Sequence, residues 1–319
     1  MRAALLASVI VLCAGCAAAA APESLLRPDP SPTAVPARTA PPLDLAYGAY
    51  QRGHYLTAYR EATARLDKDP ADTAAMTLIG ELYNQGLAVR QNSVEAAAWY
   101  RLAAGRGEPH AMATLGLMAI DGRGMARDPA SGRAWLEKAA ALRQPTAAYN
   151  LALVLLGGGS AEEIARAARL LVIAAEAEIG DAQHALGVMH SRGQGGVAHD
   201  PAEAARLYLR AARNGSVAGE VEFAIAQFNG DGVPRNESFA ARHFRHAAAQ
   251  RNAIAQNRLA RLYVTGRGVP KNLVEAAAWH LLASAQGLAD PWLDKILETI
   301  PAADRTRAEA LAATRSGVF

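Results

Sequence analysis

Apolar and polar positions along most of this chain follow the rhythm of amphipathic helices, interrupted at regular intervals by glycine. Residues 253–288 show the pattern in full. A small-residue helix runs around Leu259-Ala260-Arg261-Leu262-Tyr263, and a glycine turn follows at Gly266-Arg267-Gly268-Val269-Pro270. A second amphipathic helix then runs through Glu275-Ala276-Ala277-Ala278-Trp279 into Ala283. The small residue of the first helix recurs at Gly80, Gly116, Ala152, Gly187, Ala224 and Ala260, with spacings of 36, 36, 35, 37 and 36. The alanine of the second helix recurs at Ala103, Ala139, Ala174, Ala211, Ala247 and Ala283, with spacings of 36, 35, 37, 36 and 36. Two independent columns with one period predict a solenoid, in which a unit cannot bury its apolar face alone and stacks on its neighbours.

Helix boundaries recur in the same register. Eleven residues before the second-helix alanine stand Asn92, Asp128, Glu163, Asp200, Asn236 and Asn272. Asn and Asp there accept backbone N–H bonds at a helix start. Glu95, Glu203 and Glu275, three residues after Asn92, Asp200 and Asn272, predict capping boxes. Pro129 and Pro201 take the first helical position, where a missing N–H costs nothing. The turn glycines Gly122, Gly193, Gly230 and Gly266 keep the repeat register, so they read as residues of positive φ rather than as phosphate loops.

These residues resemble the Sel1-like repeat, a relative of the tetratricopeptide repeat with a longer loop between its helices. The match is carried by Leu115-Gly116, Gly122-Arg123-Gly124, Asp128, Trp135 and Ala139-Ala140, and by their counterparts in six units over residues 73–288. The third unit departs from the pattern: Gly157-Gly158-Gly159-Ser160 shortens its loop and Leu170 takes the tryptophan position. In the fifth unit that position is His243. The resemblance implies an all-α, right-handed α/α superhelical solenoid that acts by binding proteins. It also implies an inner face lined by first helices.

Composition narrows the function. Apolar residues make up 51% and aromatics only 6%, so the predicted interior is mostly alanine and leucine, which permits close helix crossings. A net charge of +3 without a basic cluster argues against nucleic acid. Cys13 and Cys16 are the only cysteines, so the repeats hold neither a disulfide nor a paired-cysteine zinc site.

Residues 1–21 read as an export signal, with Arg2 before an apolar run from Ala3 to Leu12 that is too short to span a bilayer. Leu12-Cys13-Ala14-Gly15-Cys16 resembles a bacterial lipobox, with Cys16 as the lipidated residue; plain signal-peptidase cleavage near Ala21 is the alternative. Either outcome places the body outside the cytoplasm, in the periplasm or on the outer membrane, with membrane contact only through a lipid on Cys16. Residues 22–42 carry seven prolines and predict an extended spacer. Residues 43–72 read as a degenerate tetratricopeptide-like hairpin and residues 289–319 as two closing helices parted at Pro301, so both ends are capped.

No residues in the repeats suggest catalysis or a cofactor: His-Glu-x-x-His, Gly-x-Ser-x-Gly and Ser-x-x-Lys are all missing. Cell-wall or β-lactam hydrolysis is therefore the weakest reading. His243 and His246 lie three apart on a helix, but no third ligand stands at a zinc-site spacing. Trp99, Trp135 and Trp279 share a second-helix column and read as packing residues. The groove is predicted two and three places before the small-residue column, at Thr77/Leu78, Ala113/Thr114, Tyr149/Asn150, His184/Ala185, Val221/Glu222 and Asn257/Arg258. One place after the column come Glu81, Leu117, Leu153, Val188, Ile225 and Arg261. The expected binding set is Tyr149, Asn150, His184, Glu222, Asn257, Arg258 and Arg261, an apolar middle with a basic C-terminal end for an acidic extended peptide. The expected role is a non-enzymatic envelope scaffold or adaptor for a protein partner, or else a lipoprotein component of an exopolysaccharide secretion or envelope assembly machine.

Overall fold

A computed structural model describes residues 44–317; the expected leader, Cys16 and the proline-rich stretch lie outside them. The first hairpin is α1 (Leu45–Gln51) and α2 (Tyr55–Lys68). Six hairpins follow: α3 (Thr73–Gln85) with α4 (Ser93–Gly105), α5 (Pro109–Asp121) with α6 (Pro129–Ala141), and α7 (Pro145–Gly158) with α8 (Ala161–Glu176). The remaining three are α9 (Gly180–Arg192) with α10 (Pro201–Arg213), α11 (Val217–Asn229) with α12 (Glu237–Ala249), and α13 (Ala253–Thr265) with α14 (Leu273–Ala285). Two helices close the array, α15 (Pro291–Leu297) and α16 (Ala302–Ser316). All regular structure in the described residues is helical.

The two columns are the stacking surfaces. All six second-helix alanines from Ala103 to Ala283 are fully buried, as are Ala152, Ala224 and Ala260 of the first-helix column. Where that column is glycine, a larger partner fills the space. A Cβ at Gly187 would lie 2.7 Å from the ring of Tyr208, one at Gly80 3.0 Å from that of Tyr100, and one at Gly116 3.1 Å from the side chain of Leu136. Each second-helix alanine also ends its helix, because its carbonyl accepts the N–H five residues on, as from Glu108 to Ala103 and from Ser216 to Ala211. This is the 6→1 bond of a Schellman turn.

Asn92, Asp128, Asp200, Asn236 and Asn272 cap the second helices with their side chains. In the third unit the cap is Ser160, three residues before Glu163. The shortened loop there is replaced by an extra turn of α8, so Glu163 sits inside the helix and accepts from the Ser160 hydroxyl at 3.2 Å. The expected capping boxes close differently. The N–H groups of Asn92, Asp200 and Asn272 donate to the first-helix carbonyls of Tyr83, His190 and Tyr263 at 3.0, 3.0 and 2.9 Å. With that donor already satisfied, Glu203 pairs with Arg206 and Glu275 with Arg315.

The interhelix turn also joins neighbouring units. Gly124 adopts φ +69°, and a Cβ there would fall 2.0 Å from the carbonyl oxygen of Ser93, at the start of the preceding second helix. Gly232 and Gly268 make the same approach to Pro201 and Glu237. First helices of adjacent units come together, α5 with α7 and α9 with α11, to an extent that no pair of second helices matches. The first-helix layer is therefore the inner side of the curve. Beyond α14 the array changes: α16, rather than α15, provides most of the covering layer on α14.

Candidate functional site

Successive residues on a helix point about 100° apart, so adjacent positions tend to divide between the surface and the packed side. The structure separates three of the six predicted groove pairs in this way, Thr77/Leu78, Ala113/Thr114 and Val221/Glu222, and leaves both members of the other three at least partly exposed. Thr77, Thr114, Tyr149, Asn150, His184 and Glu222 reach the surface in part, whereas Leu78, Ala113 and Val221 are buried. Of the positions after the column, Leu117, Val188 and Ile225 are half-buried and Leu153 is exposed, an apolar strip along the first helices. The Glu81 carboxylate accepts the hydroxyl of Tyr100 and is committed to packing.

The predicted polar residues are coupled along the layer. Burial pushes the Tyr149 hydroxyl up to about 12, and the neighbouring Asp181 adds to this. His184 is held below the usual imidazole range chiefly by burial, which outweighs Asp181; its ring lies 6.0 Å from that of Tyr208. The Glu222 carboxyl is raised by burial, against the opposing pull of Arg192 and Arg258. Tyr149, His184, Glu222 and Arg258 thus belong to one electrostatic series running from α7 to α13. The Asn150 amide is turned back on its own helix and donates to the Thr146 carbonyl at 2.8 Å.

At the C-terminal end the three expected groove residues divide. Arg261 forms a bidentate pair with Asp290, at 2.7 and 2.8 Å, and Asn257 donates to the same carboxylate at 2.7 Å. Asp290 also caps α15 and is only 4% exposed. Burial alone would raise its pKa, but the bonds from Arg261 and Asn257 outweigh it and hold the carboxyl at about 2. Arg258 is exposed and makes no hydrogen bond or ion pair among the described residues. The free positive charge expected of the pair Arg258 and Arg261 is therefore carried by Arg258 alone.

Around these residues lies a cleft of about 280 Å³ between α11 and α13, walled by Ile225, Phe228, Leu262 and Trp292. Arg261 lies over the Trp292 ring at 4.9 Å and Arg267 over the Phe228 ring at 4.1 Å. Arg267 is fixed from behind by Glu237 at 2.7 Å. Paired and stacked guanidiniums lose little freedom on meeting a ligand, so the cleft is preorganised. Sequence reasoning overlooked Phe228, Arg267 and Trp292. One signal was available, since Trp292 is the only tryptophan outside the second-helix column.

His243 and His246 both turn Nδ1 onto the buried Glu220, at 2.9 and 2.7 Å. They serve as its partners, and among the described residues no group of three His, Cys, Asp or Glu side chains is placed to hold an ion. Among those residues, too, no helix is long and apolar enough to cross a membrane.

The Sel1 repeat model matches residues 73–108, 109–143, 145–178, 180–216, 220–252 and 253–288, most of the described chain. The chain belongs to the Sel1 repeat family. A Sel1 repeat protein from Oxalobacter formigenes is 26% identical, with a TM-score of 0.64 over 75% of this chain and 94% of that one. A protective antigen of uropathogenic Escherichia coli strains, displaying an SLR fold, is 23% identical, with a TM-score of 0.56 over 86% of this chain and 67% of that one. The second likeness is one of fold alone. No curated protein matches the chain. Sel1 repeat proteins are generally protein-interaction scaffolds, and the all-helical solenoid described above has the fold of that family.

Proposed function

We propose that the protein is a non-enzymatic scaffold of the bacterial cell envelope whose first-helix groove receives an extended segment of another protein. The observation that carries this reading is the C-terminal cleft, where aromatic and aliphatic walls meet Arg258, which has no hydrogen bond or ion pair among the described residues. An apolar side chain of the bound segment fills the space between Phe228 and Trp292, and a carboxylate beside it meets Arg258. The apolar strip through Ile225, Val188 and Leu117 carries the rest of the segment towards the N-terminal units. The export signal read in residues 1–21 supports the envelope setting, and lipidation of Cys16 would make the protein a tethered scaffold.

A photocrosslinking amino acid placed at Ile225, in full-length protein in its own cells, tests the groove. Adducts to a defined set of envelope proteins that vanish with Trp292→Ala and with Arg258→Glu are expected. Adducts indifferent to both changes would overturn the groove. Arg258→Glu is the informative charge change; Arg261→Glu would set two carboxylates against each other at Asp290 and report on folding instead. The intact mass of the mature N-terminus decides the anchoring, since an acylated Cys16 and an unmodified end near Ala21 differ by whole fatty acyl chains.

A further inference from the structure

On the second-helix side of the last units, away from the groove, α12, α14 and α16 enclose a larger cavity of about 580 Å³. Trp279 and Leu282 of α14 form its floor, and the alanines Ala248 and Ala249 keep one wall low. Arginines stand on both sides: Arg245 and Arg251 on and just after α12, and Arg315 on α16. Arg315 lies over the Trp279 ring at 4.3 Å, with Nη2 bonded to Glu275 at 2.9 and 3.0 Å. Its Nη1 is buried and has no hydrogen-bond partner among the described residues. Arg245 reaches only the Tyr263 hydroxyl, at 3.3 Å, and Arg251 has neither an ion pair nor a side-chain hydrogen bond there. No carboxylate lines the cavity.

Three guanidiniums are thus set against the single carboxylate of Glu275, around an apolar floor. Cavities of roughly 300–1,000 Å³ are the size that holds ligand groups rather than water alone. The cations flank the floor on two sides, so the complementary ligand has an apolar centre with negative charge on either side. A polypeptide supplies that arrangement along one chain, whereas a single anionic headgroup presents its charge at one end.

We propose that this cavity is a second docking site, for an acidic partner segment in which carboxylates flank an apolar side chain. Trp279 and Leu282 receive the apolar group, Arg245 and Arg251 bind the carboxylates on one side, and Arg315, held by Glu275, adds positive charge on the other. The gain is valence: the groove and this cavity lie on opposite layers, so one molecule holds two partners at once.

The test uses the full chain and a fluorescent peptide of sequence Glu-Asp-Leu-Phe-Asp-Glu, followed by anisotropy, with a copy bearing lysine for every acid as control. Saturable, salt-sensitive binding of the acidic peptide only is expected. Arg251→Glu should weaken it about tenfold and Arg245→Glu with Arg251→Glu about a hundredfold, the scale of one and two charge-assisted contacts. Arg258→Glu, in the groove, should leave it within about twofold, the size of a distant charge effect. Arg245 and Arg251 both stand at the surface, and an unchanged helical circular dichroism spectrum confirms that these variants fold. Loss of binding through Arg258 alone would assign the peptide to the groove and overturn the proposal. So would binding insensitive to Arg245 and Arg251, or no saturable binding at all. Vesicles containing anionic phospholipid that displace the peptide through these same arginines would overturn it in favour of a membrane contact.

Discussion

The units from α3 to α10 and those from α11 onward build one repeat with different materials. In the first stretch a single cluster of buried apolar residues runs from Met76 to Leu207, and glycines let helices cross closely at Gly80, Gly116, Gly132 and Gly187. Its cross-unit ion pairs are surface features, as with Arg133 and Glu163, 39% and 28% exposed. In the second stretch the crossing residues are Ala224 and Ala260, and a separate apolar cluster runs from Val221 to Ala312. Here buried acids and a buried histidine are tied to neighbouring helices: Asp290 to Arg261 and Asn257, Glu220 to His243 and His246, and His280 to Asp294 at 2.6 Å. Between the two clusters stands a small apolar one of Ala204, Tyr208 and Phe223, with polar ties beside it. Asn214 donates to the buried Gln183 at 2.9 Å and Ser216 to Asp181 at 2.8 Å. The repeat backbone tolerates both solutions because each unit answers only to its neighbours. Among the described residues the buried acidic and histidine ties, Glu220, His280 and Asp290, all fall in the stretch that also carries the two cavities described above, so packing chemistry and recognition chemistry coincide there.

The two stretches should differ most at their close helix crossings. Gly132→Ala should cost about 3 kcal/mol, because a rigid backbone oxygen and Ile120 occupy the space a methyl would need. In the second stretch Ala260→Gly should cost only about 1 kcal/mol, the loss of helix propensity. Equal costs in chemical denaturation would erase the distinction. Next comes the tie at Glu220: Glu220→Ala should cost about 2 kcal/mol by leaving His243 and His246 without their acceptor. Hydrogen exchange should quicken in α11 and α12 and stay unchanged in α5 and α6.

Asp290 sharpens the contrast through pH. Its folded pKa of about 2 lies below the unfolded value of about 3.9 for aspartate. A carboxylate depressed in this way favours the fold above the unfolded value and ceases to do so as pH falls through the folded one. Wild type should therefore lose about 1–2 kcal/mol between about pH 4 and pH 2 that Asp290→Asn has already lost at neutral pH. Thermal midpoints of the two proteins should converge across that window, and parallel curves would refute the assignment. The smallest effect belongs to the first unit, where Ala88 stands at φ +65° in place of the second turn glycine. Ala88→Gly should stabilise by about 0.5 kcal/mol, the left-handed penalty less the added chain entropy of glycine. A small rise in thermal midpoint checks it.

Some of this was legible beforehand because its causes are local. A fixed spacing between the alanine columns, a cap three residues before a backbone N–H and a glycine at a positive φ all depend on neighbours within a helical turn or two. Even local rules failed where one donor had two suitors: the N–H groups of Asn92, Asp200 and Asn272 go to first-helix carbonyls, so no capping-box glutamate could be read correctly from spacing alone. The cap of α8 at Ser160 was missed for a related reason, since a shortened loop can be repaid by a longer helix.

Spacing alone was enough for the repeat, the helix limits outside the third unit and the alanine interior, because these recur in register and every copy testifies to the others. Tertiary structure alone decided which charges remain free. Arg261 and Asn257 read as groove residues until Asp290 arrives from 29 and 33 positions away, and Arg315 becomes a cavity wall only because α16 folds back onto α14, 40 positions from Glu275. Such pairings happen once, at the end of the array, where no second copy of the pattern exists to reveal them. Their energies depend on burial and distance, which a linear spacing does not encode.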